Sequence, residues 1–130
     1  MGLIVNGKWV DQWYDTKSSK GSFQRQESRF RHTISADSQY KPEAGRYHLY
    51  VSLACPWAHR TLIFRQLKQL QDIITVSVVR PEMRENGWEF DRQNSDYADD
   101  LFDHDYMYQL YLKAAPNYEG RVTVPVLWDK

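Results

Sequence analysis

The chain contains one cysteine, Cys55, in the run Leu53-Ala54-Cys55-Pro56-Trp57-Ala58-His59-Arg60. A single cysteine can form neither an internal disulfide nor a cysteine-based zinc site, so any redox work it does must draw a partner thiol from outside the chain. Pro56 suits the first turn of a helix, where its missing N–H costs nothing. Cys55 is thereby expected at the N-terminal end of that helix. Unpaired amides and the helix dipole at this end favour a thiolate over a thiol. His59, one turn on, and Arg60 would add positive charge nearby, and Pro56 and Trp57 would support the same corner. The competing reading is a buried structural cysteine, the setting in which free cysteines are often found.

Three further positions could serve such a thiol. Val124-Pro125 stands within an apolar run, Val122 to Trp128. A proline there is commonly a turn device, and cis is the minority state of an X–Pro bond. Were it cis, the Val124 backbone could turn its N–H and C=O towards an extended peptide and pair with it as an added strand. A sulfur on that peptide would then lie near Cys55. Arg121 offers a rigid donor fork for a carboxylate. Trp88 offers an apolar wall with one N–H donor. A solvated surface arginine and a loop-anchoring tryptophan explain these two equally well. His32, His48, His59 and His104 show no metal-ligand spacing, and His48 reads as structural. No Gly-rich phosphate loop and no Ser/His/Asp arrangement stands out.

These residues need elements to position them. Tyr47, Leu49 and Val51 alternate with His48, Tyr50 and Ser52, a strand period. The Cys55 helix is expected to run to about Gln69. Ile63, Leu67 and Leu70 form one apolar stripe on it, and Trp57 and Phe64 a second, so cover is expected on two sides. Ile73 to Val79 is nearly all apolar and rich in β-branched residues, which reads as an interior strand of a parallel sheet. Residues 46–79 thus form a right-handed βαβ unit. Residues 80–103 form a long loop carrying Glu85-Asn86-Gly87-Trp88, a length usually associated with function or mobility. A second helix is expected near 104–114, with Tyr106, Leu110 and Ala114 sharing a face with Met107 and Tyr111. A third strand follows over 121–128.

Residues 1–45 are polar and irregular, with turn clusters at 15–19 and 37–45. Trp9, Trp13, Tyr14, Phe23 and Phe30 punctuate them, which suggests an extended arm pinned to a body; a disordered leader is the alternative. The division is therefore an arm over 1–45 and one α/β domain over 46–130. The length of 130 residues suits one domain. Seventeen basic residues balance seventeen acidic ones, so nucleic acid and anionic membranes are not the expected partners. No apolar run reaches the roughly 20 residues of a membrane helix, and Met1 to Asp11 lacks a signal-peptide core. A cytoplasmic location is the expectation.

The block Tyr47-His48-Leu49-Tyr50-Val51-Ser52-Leu53-Ala54-Cys55-Pro56-Trp57-Ala58-His59-Arg60 resembles the active-site segment of the glutathionyl-hydroquinone reductases, the Xi-class glutathione transferases. Glu85 to Phe90, Gly120 to Asp129, Asn6-Gly7-Lys8-Trp9 and Phe23-Gln24-Arg25 resemble the same family, so the likeness runs along nearly the whole chain. It implies a thioredoxin-like fold, with strands ordered 2-1-3-4. It also implies that Cys55 is the nucleophile and that Trp88, Arg121, Val124 (through its backbone) and Pro125 lie at the glutathione. The implied cosubstrate is glutathione, the implied substrates are glutathionyl-quinones and glutathionyl-hydroquinones, the latter reduced to hydroquinones through a cysteine–glutathione mixed disulfide, and no metal is implied. Family members are longer. They continue with a fourth strand, a Glu-Ser pair that holds the γ-glutamyl group, and a helical domain carrying the hydroquinone pocket. The thioredoxin-like domain is therefore expected to be incomplete after its third strand. That strand would be left as an open edge, Trp57 and Phe64 would lose cover, and self-association or a homodimer becomes an expectation. A glutaredoxin-like deglutathionylating domain and a non-catalytic binding fragment are the alternatives.

Overall fold

The computed structural model describes residues 2–12 and 27–130. Trp13, Tyr14 and the Phe23-Gln24-Arg25 motif lie outside the described residues. The centre of the fold is a three-stranded sheet. Strand β3 (Tyr47–Val51) runs down its middle, parallel to β4 (Ile74–Val78) and antiparallel to β6 (Val126–Asp129). Helix α1 (Pro56–Leu67) is the crossover between β3 and β4. This arrangement gives the order 2-1-3 for the strands of the domain.

The strand readings are corrected in one respect. Ile74–Val78 is an edge strand among the described residues, not an interior one, and Thr75 is exposed. The alternating segment Tyr47–Val51 is the one buried on both faces, at all five positions. Its polar groups permit this because most find partners inside. The Tyr50 hydroxyl donates to Asp99 Oδ1 at 2.8 Å, and His48 Nδ1 lies 2.6 Å from Thr75 Oγ1. Hydrogen bonding is what makes a polar residue tolerable at the centre of a sheet. His48 Nε2 is the exception, buried without a partner among the described residues.

Helix α1 also differs from its expected packing. It starts at Pro56 as its sequence dictates, with Cys55 as N-cap in extended geometry. It closes at Leu67, where Gln69 takes a left-handed φ of 55° and Leu70 N–H donates to the Arg65 carbonyl at 2.9 Å. Ala58 is the buried residue and Leu62 is partly buried against the core. Ile63 and Leu67 on one stripe, and Trp57 and Phe64 on the other, are exposed. A short side chain at Ala58 lets the helix approach the sheet closely, so the narrow Ala58 face docks and the bulkier stripes point outwards. Arg65 ties the helix end to the next strand, donating to the carbonyls of Ile74 at 2.7 Å and Gln71 at 2.9 Å.

The 80–103 segment is organised around Asp99, which is buried. Besides Tyr50, it accepts from the backbone amides of Leu101, Phe102 and His104, and its Oδ2 lies 2.7 Å from His104 Nδ1. Burial pushes its pKa up, but these bonds outweigh it and hold the carboxyl below the usual range. A single 3₁₀ turn, Ser95–Tyr97, interrupts the segment. Helix α2 begins at Met107 and ends at Ala114. Its core face is Met107, Leu110 and Tyr111; Tyr106 is its N-cap and Ala114 is exposed.

The expected third strand is two pieces. β5 (Gly120–Arg121) and β6 are separated by the Val122–Pro125 segment. β5 belongs to a second sheet, pairing with β1 (Leu3–Val5), which pairs in turn with β2 (Lys8–Val10). The β1–β2 hairpin is thereby joined to β5, and Ile4 is completely buried in the core.

Candidate active site

Cys55 sits where β3 hands over to α1. Ser52 shapes the corner: its carbonyl accepts from Cys55 N–H at 3.1 Å and its hydroxyl accepts from Ala54 N–H at 3.2 Å. The Cys55 carbonyl then takes the first helical bond, from His59 N–H at 2.9 Å. The thiol Sγ donates to the Val124 carbonyl oxygen at 3.7 Å. Val124 is buried and its bond to Pro125 is cis. Two segments that sequence reading singles out separately thus meet at one point.

The Val124 segment is fixed from below by two tyrosines that sequence reading does not assign to the site. Tyr111 of α2 donates its hydroxyl to the Thr123 carbonyl at 2.9 Å, and Tyr118 donates to the Arg121 carbonyl at 2.6 Å. The two rings pack edge-to-face at 4.9 Å. Burial pushes the Tyr118 phenol up to about 12 and that of Tyr111 up as well. Both therefore remain protonated donors at neutral pH. The one signal for Tyr111 is its place on the apolar face of α2, which reads equally as ordinary core.

The remaining candidates are distributed around this pair. Arg121 lies on β5 opposite Leu3, three positions before Val124. Trp88 is only 9% exposed and belongs to the apolar core against which Cys55 packs. Its carbonyl accepts from Met107 N–H at 3.0 Å, which joins the loop to the start of α2. Pro56 opens the helix. Trp57 and Arg60 pair with each other on the outer face, the guanidinium 5.0 Å from the ring centroid. The His59 side chain is exposed. Neither His59 nor Arg60 hydrogen-bonds the thiol among the described residues, so the cationic support expected of them is not a direct contact.

Two hollows flank the Val124–Pro125 segment. One, of about 560 Å³, is lined in part by Phe30, His32, Tyr40, Tyr111 and Trp128. The other, of about 380 Å³, lies between α1 and the sheet, lined in part by Leu49, Arg60, Phe64 and Leu127. Pro125 lines both, and Cys55 lines neither. Among the described residues, no group of three or more His, Cys, Asp or Glu side chains is placed to hold a metal ion, and no helix is long and apolar enough to cross a membrane.

A strand-to-helix cysteine facing the backbone before a cis-proline agrees with the match of residues 54–130 to the family model described as the glutathione S-transferase N-terminal domain. The chain belongs to the glutathione S-transferase family. It is 56% identical to the glutathionyl-hydroquinone reductase YqjG of Escherichia coli, over all of this chain and 42% of that protein. Its structure is similar to that of a Xi-class glutathione transferase from Natrialba magadii, with a TM-score of 0.83 and 48% identity over 99% of this chain and 38% of the other. It is also similar to the glutathione-bound structure of YqjG, at a TM-score of 0.67 and 62% identity over 70% of this chain and 30% of the other. The chain spans about two fifths of the length of the curated relatives it matches. The thioredoxin-like N-terminal glutathione transferase fold expected from the sequence is the fold observed.

Proposed function

We propose that this chain is the glutathione-handling N-terminal part of a glutathionyl-hydroquinone reductase, with an arm over 1–45 and the thioredoxin-like domain over 46–130. One observation carries the reading: the only thiol of the chain sits at the N-terminus of α1, 3.7 Å from the Val124 carbonyl. An extended peptide pairing with the Val124 backbone would present its own sulfur to Cys55. Glutathione, which the similar YqjG structure holds, is a tripeptide with the required thiol. Trp88, Arg121, Val124 and Pro125 are the proposed contacts.

The Cys55 thiolate attacks the sulfur of a glutathionyl-hydroquinone. The Cys55–glutathione disulfide forms, the sulfur–ring bond breaks, and the ring carbon keeps the electron pair and takes up a proton, releasing the hydroquinone. A second glutathione thiolate then attacks the mixed disulfide, which frees Cys55 and yields oxidised glutathione. Two electrons pass from two glutathione sulfurs to the ring. A lone cysteine suits this scheme because the resolving thiol is external. Dependence on reduced glutathione favours the cytoplasm as its compartment. The exposed Phe64 and Leu127, which line one hollow together, and the exposed Trp57 favour self-association.

The test is to incubate the chain with oxidised glutathione and weigh it, with Cys55→Ser alongside. One added glutathionyl group on the unsubstituted chain and none on the variant is the expected result. No adduct on either would sink the proposal. Supplying a glutathionyl-hydroquinone and, separately, a glutathionylated protein then separates the reductase from a glutaredoxin-like deglutathionylating domain. Release of hydroquinone from the first is expected of the reductase.

A further inference from the structure

The proposed glutathione contacts come from two places far apart in the chain, the Glu85–Trp88 turn and the Gly120–Pro125 segment. The N-terminal hairpin reaches both. Strand β1 pairs with β5, Leu3 opposite Arg121 and Ile4 opposite Gly120. Strand β2 carries Trp9, whose Nε1–H donates to the Glu85 carbonyl at 2.8 Å. The indole fits between two glycines. A Cβ on Gly2 would lie 2.5 Å from the ring, and one on Gly87 would lie 2.7 Å from it. Real side chains do not approach so closely, so only glycine allows the indole into this slot. Gly87 also takes a φ of 77°, and closes the turn by donating to the Arg84 carbonyl at 2.9 Å. The ring continues into a stack, with Tyr108 at 5.3 Å and 16°, and then Tyr106 on Tyr108 at 5.3 Å and 9°. Tyr106 bridges to Glu89, the residue after Trp88.

We infer that Trp9 is a positioning residue for the glutathione site. The N-terminal hairpin holds the turn that bears Trp88 in fixed register with the strand that bears Arg121, and the Trp9 hydrogen bond to Glu85 is the latch. This rests on the proposed glutathione function. It deepens it by making the arm part of the binding site's framework. Trp9 touches neither Cys55 nor the Val124 carbonyl in any described contact, so its effect should fall on peptide binding and spare thiol reactivity.

Trp9→Phe keeps a ring in the slot and removes only the N–H, so it is the variant expected to fold; Trp9→Ala empties the slot. The rate of Cys55 glutathionylation is measured against oxidised glutathione concentration, together with the rate of Cys55 alkylation by iodoacetamide and the thermal midpoint. For Trp9→Phe, the half-saturating oxidised glutathione concentration should rise about five- to tenfold, the scale of one lost hydrogen bond. The limiting rate and the alkylation rate should stay within about twofold, and Trp9→Ala should shift half-saturation further. An unchanged half-saturation with a lowered thermal midpoint would overturn the inference, because Trp9 would then serve stability alone. Equal falls in glutathionylation and alkylation would overturn it too, by placing the effect on Cys55. If the unsubstituted chain gives no saturable adduct, the glutathione reading itself falls, and the inference with it.

Discussion

Cys55 and His48 show how differently two chemically capable side chains on adjoining elements are used. Cys55 stands at the mouth of a helix with its sulfur on a backbone carbonyl. His48 is shut in the middle of the sheet, edge-on to Tyr50 at 4.7 Å, with Nε2 unpartnered among the described residues. Burial is the largest influence on His48 and lowers its pKa, although the nearby Asp100 and Asp99 charges pull it back up. Above the ordinary histidine value of 6.5 both the folded and the unfolded chain carry His48 neutral. Below it, the unfolded chain binds a proton that the folded one refuses, so stability falls as pH drops towards the lower folded value. Asp91, Asp99 and Asp129 are also held low, but their contribution is lost only below the ordinary carboxyl value of 3.8. Urea midpoints should therefore decline as the pH falls below the ordinary histidine value of 6.5, and His48→Gln should flatten that decline. An equally steep decline in the variant would assign the effect elsewhere.

At the scale of elements, α1 makes the sharpest distinction between apolar and buried. Leu67 is 71% exposed, whereas Ala58 is completely buried at the sheet. Leu67→Lys should change stability by no more than about 0.5 kcal/mol, as for other surface positions. Ala58→Leu should cost about 1–3 kcal/mol by overpacking the close helix–sheet contact. Thermal or urea unfolding of the two variants checks both, and a reversed order of effects would mean that the helix docks by its other face. Sequence periodicity marks the helix and its start correctly, since Pro56 and the N-cap position act locally. It does not mark the docking face, because two bulky stripes outweigh one alanine in any pattern count.

For the whole molecule, the consequence of those stripes is an apolar outer surface. Trp57, Phe64 and Leu127 are 59%, 57% and 47% exposed, and β6 has no strand on its outer side among the described residues. An open edge next to exposed apolar side chains favours pairing with another chain. Sedimentation should therefore show concentration-dependent association, accompanied by binding of an apolar-surface dye. Phe64→Lys with Leu127→Lys should reduce both. A strictly monomeric chain that binds no dye would count against this.

The position of Cys55 at a strand-to-helix corner, the βαβ start of the domain and the family are all legible without coordinates, because each is written in neighbouring residues: a lone cysteine before a proline, a strand period, a long specific block around Cys55. Val124-Pro125 is singled out by the sequence as well, but its direct contact with Cys55 is created by folding. The features that folding alone settles depend on residues distant in the chain. Tyr47–Val51 can be the central strand because Thr75 and Asp99 pair with its polar groups. The third strand splits because β1 claims Gly120–Arg121 for a second sheet. Trp9, one of several aromatics in a polar arm, becomes a latch on Glu85 because folding brings Gly2 and Gly87 to either side of it. Periodicity and propensity act over a few residues, whereas the pairing of a buried polar atom or the fit of a ring into a slot is settled by contacts that only the folded chain creates.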